Sequence, residues 1–265
     1  MNILITGSTS GIGEVIAQHL LQNKYNVIGT SRNPDGIKAK LTYPLLKLDI
    51  TSQASIDNCI NELEAKGISI DVLINNAGIG VCGSIEETSA DLAREQLETN
   101  FWGAVNLTKA ILPQMRKNKK GKIVFITSLA GLIGVPYQGF YSASKHALEG
   151  FCKSLRQEVK EFGISISSVE PGFFKTNLHN SFKYAHPTIN DYSQSREKVL
   201  GVFAHSIENA PKPTAIATTV LQIIKTKNPK YSYRVGKDGK MLPILQFLFN
   251  SLFEKGARNK FKLPS

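Results

Sequence analysis

Asn2-Ile3-Leu4-Ile5-Thr6-Gly7-Ser8-Thr9-Ser10-Gly11-Ile12-Gly13 begins as an apolar run and ends in a glycine-rich turn. After it, Ile12, Val15, Ile16, Leu20 and Leu21 recur at helical spacing. Strand, glycine turn and amphipathic helix, in that order, are the context a dinucleotide fingerprint requires. Gly7 permits the tight turn, Gly11 lets the backbone approach a pyrophosphate, and Gly13 lets helix and strand pack closely. The helix N-terminus then offers its N–H groups to the anion. Thr9, Ser10 and Ile12 sit in the same turn and join the candidate cofactor-binding set. The spacing is G-x-x-x-G-x-G, not the commoner G-x-G-x-x-G. A merely flexible glycine loop is the bland alternative, and the flanking strand and helix disfavour it.

Working outward, apolar runs recur at 25–29, 45–48, 72–74, 123–126, 164–169 and 231–235. Helical patterns separate them near 52–66, 89–117, 141–162 and 214–227. Alternating strands and helices predict an α/β fold: a doubly wound parallel sheet in three α/β/α layers, with right-handed crossovers. No linker or repeat divides the 265 residues, so 1–265 reads as one domain. The pattern is weakest near 177–198, and 177–210 reads as an irregular excursion or substrate lid. A basic, apolar extension over 237–265, helical in pattern, closes the chain.

Composition narrows the function. Cys59, Cys82 and Cys152 are few and widely spaced, as reduced thiols of a cytoplasmic protein would be. The five histidines are scattered, and no cluster has metal-ligand spacing, so no metal is expected. The first strand is expected to begin at Asn2, so no signal peptide is expected, and no apolar run reaches membrane-spanning length. The net charge of +11 is concentrated at the end. From Lys225 onward ten Lys and Arg face only Asp238 and Glu254, a net of +8 around the apolar stretch 241–253. A helix packed over the domain or its substrate cleft is the preferred reading, and peripheral membrane contact the alternative. Nucleic-acid binding is not expected, because basic charge without a reading motif is only a non-specific footprint.

The second informative stretch is Tyr141-Ser142-Ala143-Ser144-Lys145, with Ser128 thirteen positions upstream. Residues four apart share a helix face. A tyrosine titrates near ~10 and is a poor acid–base catalyst near neutrality. A cation held beside it favours the phenolate and lowers that value. Tyr-x-x-x-Lys is therefore a compact device for proton exchange.

With these motifs in place, the chain resembles the short-chain dehydrogenase/reductase family, in its single-domain Rossmann form. The resemblance rests on T-G-x-x-x-G-I-G at 6–13, Asn75-Asn76-Ala77-Gly78, Asn100, Ser128, Tyr141-x-x-x-Lys145 and Pro171-Gly172, in family order across about 1–176. A looser resemblance, carried by 170–176 and the tail 231–263, points to the hydroxysteroid- and retinol-dehydrogenase-like branch. The resemblance implies Tyr141 as general acid and base, with Lys145 lowering its pKa and holding the nicotinamide ribose. It implies Ser128 as donor to the substrate oxygen, and Asn100 as support for a proton-supplying water chain. It places Asn76, Ala77 and Gly78 under the adenosine half, Asp49 with Ile50 against adenine, and Pro171, Gly172 and Thr176 beside the carboxamide. Asp after a strand is also a common helix cap.

Strand two ends in Ser31-Arg32, with no acid to hold a ribose 2′-hydroxyl. Arg32 suits a 2′-phosphate, with Ser31 and Thr9 adding hydroxyls, so NADP(H) is expected over NAD(H). Leu129, Leu132, Ile133, Val135, Phe140, Phe173, Phe174, Leu178, Phe182, Tyr184 and Tyr192 are the candidate pocket, alongside the bland reading that several simply fill the core. Together they favour a small lipophilic carbonyl or alcohol substrate. The helices near 89–117 and 141–162 form a two-fold interface in the family, which implies a homodimer or homotetramer. Two alternatives stay open: a cofactor-sensing interaction protein without chemistry, and a membrane-surface protein that uses its basic tail.

Overall fold

The structure, a computed structural model, describes residues 1–37, 41–175, 182–236, 239 and 241–264. Its centre is a seven-stranded sheet in the order β3-β2-β1-β4-β6-β7-β9, with every neighbouring pair parallel. The strands are β1 (Asn2–Ile5), β2 (Asn26–Ser31), β3 (Leu45–Lys47), β4 (Val72–Asn75), β6 (Gly121–Ile126), β7 (Ile164–Pro171) and β9 (Ser232–Val235). The order reverses between β1 and β4, and that switch point is where open α/β sheets bind ligands.

Parallel strands covered on both faces read as continuous apolar runs. Their side chains still alternate. Leu4, Leu73, Ile123 and Phe125 point into one core with α2 (Gln53–Ala65), α4 (Gly103–Lys117) and α5 (Gly139–Glu158). Ile3, Ile5, Val72, Ile74, Val124 and Ile126 point into the other, against α1 (Gly11–Gln22) and α7 (Thr214–Lys225). These two cores make the three expected layers. Each fully buried Ile, Leu or Phe contributes about 1.5–3 kcal/mol relative to exposure.

Local signals set several boundaries. Ser52 caps α2 by accepting from Ser55 N at 3.3 Å, and Ser89 caps α3 (Ala90–Leu97) by accepting from Leu92 N at 3.3 Å. Asp49 is therefore not the cap of α2. Instead its carboxylate accepts from Thr51 N and Thr51 Oγ1, a local turn.

Three expectations need correction. The helical stretch 89–117 is interrupted, because a π-helical turn, Glu98–Trp102, joins α3 to α4. The described part of the excursion, from 182 on, is not wholly irregular. It contains β8 (Phe182–Tyr184), paired parallel with β5 (Gly80–Cys82), and the helix α6 (Ser193–Glu208). The sequence around β8 is too short and too polar to show strand periodicity, and its pairing is a long-range contact. Finally, the tail is two helices, α8 (Leu242–Leu248) and α9 (Asn250–Lys260), broken where Phe249 leaves helical geometry at φ −137° and ψ 58°. Among the described residues, no helix is long and apolar enough to cross a membrane.

A third, smaller core joins these late elements. Cys82, Val199, Phe203 and Phe261 are buried together, with Phe173, Phe182 and Leu263 packed against them. Glu87 ties the same region together. Its carboxylate pairs with Arg196 of α6 and accepts from Ile189 N at 2.8 Å. Burial pushes this carboxyl up, but the Ile189 and Ser84 N–H groups, the Ser84 hydroxyl and Arg196 outweigh it, and it titrates below its ordinary value.

Candidate active site

The carboxyl ends of β1, β2 and β4 open onto a cleft of about 810 Å³. One wall is the glycine turn. Gly7 adopts φ +62°, and a Cβ there would stand 3.0 Å from Ala77 Cα. A Cβ on Gly13 would meet Gly7 O at 2.2 Å, so this glycine lets α1 close on the turn. Thr6 and Asn76 lock that turn to β4. Thr6 Oγ1 accepts from Asn76 N and Ala77 N at 2.9 Å each, and Asn76 Nδ2 donates to Thr6 O and Gly7 O. Ser10 starts α1 without a side-chain cap, so the first-turn N–H groups have no such acceptor. Together these features fit a dinucleotide: a cradle that only glycine permits, and uncapped donors for a pyrophosphate.

Gly7, Thr9, Ser10, Gly11, Ile12, Ser31, Arg32, Asp49, Ile50, Asn76, Ala77, Gly78, Tyr141 and Lys145 all line this cleft. Gly13 does not, because its place is the packing contact just described. Pro171 and Gly172 line the neighbouring cavity instead. Thr176 lies outside the described residues. The Thr51 hydroxyl holds the Asp49 carboxyl below its ordinary value against burial, and the Arg32 guanidinium helps.

Beyond Tyr141 lies a second cavity of about 520 Å³ with mainly apolar walls. Leu129, Ile133, Val135, Phe173, Phe174 and Phe182 line it as expected. Leu132, Phe140, Tyr184 and Tyr192 do not. Tyr184 is exposed, and Tyr192 turns outward to donate to Glu86 at 2.9 Å. Leu178 lies outside the described residues. The remaining wall comes from α6, α8 and α9 with the turn that follows, through Ile207, Leu242, Leu245, Phe253, Ala257 and Phe261. The tail thus packs over this cavity, as the preferred reading of its composition held. Lys260 is a cation of this lining, its Nζ 5.2 Å from the Phe173 ring centre.

Of the four candidate catalytic residues, Ser128 lines the apolar cavity, Lys145 the glycine-rich cleft and Asn100 neither. Tyr141 lines both, as do Ile12 and Thr127. Ser128 follows β6 and starts a single 3-10 turn, accepting from Ala130 N at 3.1 Å. Burial pushes the Tyr141 phenol above its ordinary value, the adjacent Ser128 hydroxyl pulls it down, and Cys82 pushes it up. Lys145 lies beside the same ring. Its Nζ is 5.8 Å from the Tyr141 ring centre and donates to Ile126 O at 3.0 Å. Burial lowers Lys145 to about 8, against Glu149 and Cys152, which raise it.

The π-helical turn explains Asn100. Such insertions re-aim one side chain and cluster at functional sites. Asn100 is buried, accepts from Ile79 N at 2.8 Å and donates to Ile79 O at 2.9 Å. Its Nδ2 also reaches Ser144 Oγ at 3.1 Å, and Ser144 donates to Tyr141 O at 2.8 Å. Asn100 therefore braces both the cleft wall and the first turns of α5.

Several site residues escaped the sequence reading. Lys183 and Glu95 form an ion pair at the lining of the glycine-rich cleft, between β8 and α3. Glu149 lies one helical turn beyond Lys145 and is buried. It accepts from Thr127 Oγ1 at 2.7 Å, and also from Ser168 Oγ and Tyr231 Oη. Burial first, then this carboxylate, keeps the Tyr231 phenol protonated. The i to i+4 spacing from Lys145 was the only signal available for Glu149. Glu149→Ala is expected to lower stability by about 3 kcal/mol, because two buried hydroxyls and a half-buried phenol lose a shared acceptor. A urea unfolding curve would read this as a lower midpoint at unchanged slope. An unchanged midpoint would mean that the network contributes nothing to stability.

Fold and site together define a nucleotide-dependent oxidoreductase that works by hydride transfer. A family profile described as short chain dehydrogenase matches residues 1–186. The chain belongs to the short-chain dehydrogenase/reductase family, near its retinol-dehydrogenase-like branch. It is 38% identical over 264 residues to 3-ketodihydrosphingosine reductase of Bacteroides thetaiotaomicron, covering 99% of this chain and 93% of that one. It is 40% identical over 183 residues to retinol dehydrogenase 8 of Bos taurus, covering 64% of this chain and 58% of that one. Among solved structures, a short-chain dehydrogenase from Streptomyces avermitilis superposes with a TM-score of 0.82 at 29% identity, covering 98% and 95% of the two chains.

Proposed function

We propose that this protein is an NADPH-dependent reductase of a lipophilic, long-chain ketone, interconverting the ketone and its secondary alcohol. One observation carries the reading: a glycine-rich cleft and an apolar cavity meet at Tyr141, which lines both. The name of the Bacteroides relative, a long-chain ketone reductase matched over nearly the whole chain, supports the same substrate class.

When bound, a reduced nicotinamide supplies the hydride. Tyr141 supplies the proton to the carbonyl oxygen, and burial keeps that phenol loaded at neutral pH. Ser128 donates to the same oxygen as charge builds on it. Lys145 holds the ribose side of the cleft and Asn100 braces the wall between Ile79 and Ser144. Arg32, just after β2 where no acid stands, lines the cleft and would hold a 2′-phosphate. The apolar lining of the second cavity excludes water and selects for hydrocarbon. A cofactor-sensing protein without chemistry would have no need of the Ser128–Tyr141 pair.

NADPH oxidation with a chain-length series of 3-keto substrates tests the reading. kcat/KM is expected to rise about fourfold per methylene until the cavity is filled, the equivalent of ~0.8 kcal/mol per buried CH2. Preference for short polar ketones, or a flat series, would overturn the substrate class.

A further inference from the structure

We infer that the outer face of α8 and α9 is a docking surface for anionic membranes, through which the cavity opens towards its lipid substrate. The docking stands on the surface alone. Substrate entry rests on the reading above.

Among the described residues, six of the ten exposed large hydrophobics fall between 241 and 252. They are Met241, Ile244, Phe247, Leu248, Phe249 and Leu252, and Phe247 is 87% exposed. Soluble surfaces rarely cluster apolar residues in this way. The opposite face of the same helices is already used, since Leu242, Leu245, Phe253 and Ala257 wall the apolar cavity. A helical pair that is apolar on both faces needs an apolar neighbour on each.

Charge identifies the second neighbour. Lys255, Arg258 and Lys262 are exposed beside the patch. Glu254 is the one acid in 241–264, and it is engaged by Asn250 Nδ2 at 2.8 Å. Apolar and aromatic side chains rimmed by cations are the signature of a helix lying in the headgroup region of an anionic bilayer. A second copy of this chain would bring the same cations face to face. The break at Phe249 lies on this surface, and Leu245 before it and Phe253 after it both reach the cavity. A lipid leaving the bilayer there meets the cavity wall directly.

The test uses the full chain and vesicles of phosphatidylglycerol with phosphatidylcholine, against phosphatidylcholine alone. The wild type is expected to float with the anionic vesicles and to be released from them by salt. Phe247→Glu with Leu252→Glu alters two exposed positions outside the cavity lining, and should keep the thermal midpoint. It is expected to weaken vesicle binding by about tenfold or more. Its turnover of a long-chain ketone held in vesicles should fall in parallel, while turnover of a dissolved short ketone stays unchanged. Flotation without any ketone turnover would keep the docking and sink the proposed function. Absence of flotation, or equal flotation of the variant, would overturn the docking surface. A lipid-free dimer that the double variant dissolves, without flotation of the wild type, would also overturn it and assign the patch to a second copy.

Discussion

Tyr141→Phe is expected to lower kcat for ketone reduction by about 10²–10⁴-fold, the usual contribution of a positioned general acid. The substitution removes one oxygen and keeps the ring between the two cavities, so the shape of both is preserved. Cofactor affinity should be largely unchanged, because the glycine turn, Asn76 and Arg32 are untouched. Ser128 remains in place as a donor but is too weak an acid to replace the phenol, and water is kept out by the apolar wall formed by Leu129, Ile133 and Phe173. The measurement is kcat at saturating NADPH, paired with a fluorescence titration of NADPH binding. A variant that keeps its rate would put the acid elsewhere. One that loses NADPH binding would mean that the phenol serves mainly to hold the cofactor.

Arg32→Asp is expected to reverse the cofactor preference. Arg32 is exposed at the end of β2 and lines the cleft, and Ser31 beside it accepts from Asn33 N at 3.2 Å, which shapes the loop. A charge-assisted hydrogen bond contributes about 1.5–3 kcal/mol, so losing it costs NADPH about 10- to 100-fold. The new carboxylate also repels a 2′-phosphate and accepts from a free ribose 2′-hydroxyl, which adds to the change in ratio. The check is kcat/KM for each cofactor on wild type and variant. An unchanged ratio would make Arg32 an ordinary surface residue, and the preference would have to lie with Thr9, Ser31 or Asn33 instead.

The sequence was most informative where the structure is local or periodic. The turn from Thr6 to Gly13 reads as it folds, because a positive φ at Gly7 and a close approach at Gly13 admit only glycine. The sheet was legible because strands buried on both faces show as continuous apolar runs. Tyr141 and Lys145 were legible because i and i+4 share a helix face. The strand β8 was not, because three residues with one pairing partner carry no periodicity of their own. The π-helical turn at Asn100 was also invisible, since one inserted residue barely alters an amphipathic pattern.

By itself, then, the sequence determined the doubly wound sheet and the residues of the glycine-rich cleft through local pattern, and the family through its resemblance to known motifs. Only the tertiary structure decided that Pro171 and Gly172 face the apolar cavity. Only it placed Glu149 behind Lys145 among hydroxyls from β7 and the segment before β9. The tail depended on it most. Its composition allowed a cover for the cleft or a surface anchor, and its two helices turn one apolar face to the cavity and leave the other exposed. Burial is a property of what packs against a residue, and residues 241–261 meet partners that lie as far back in the chain as Cys82 and Ser128.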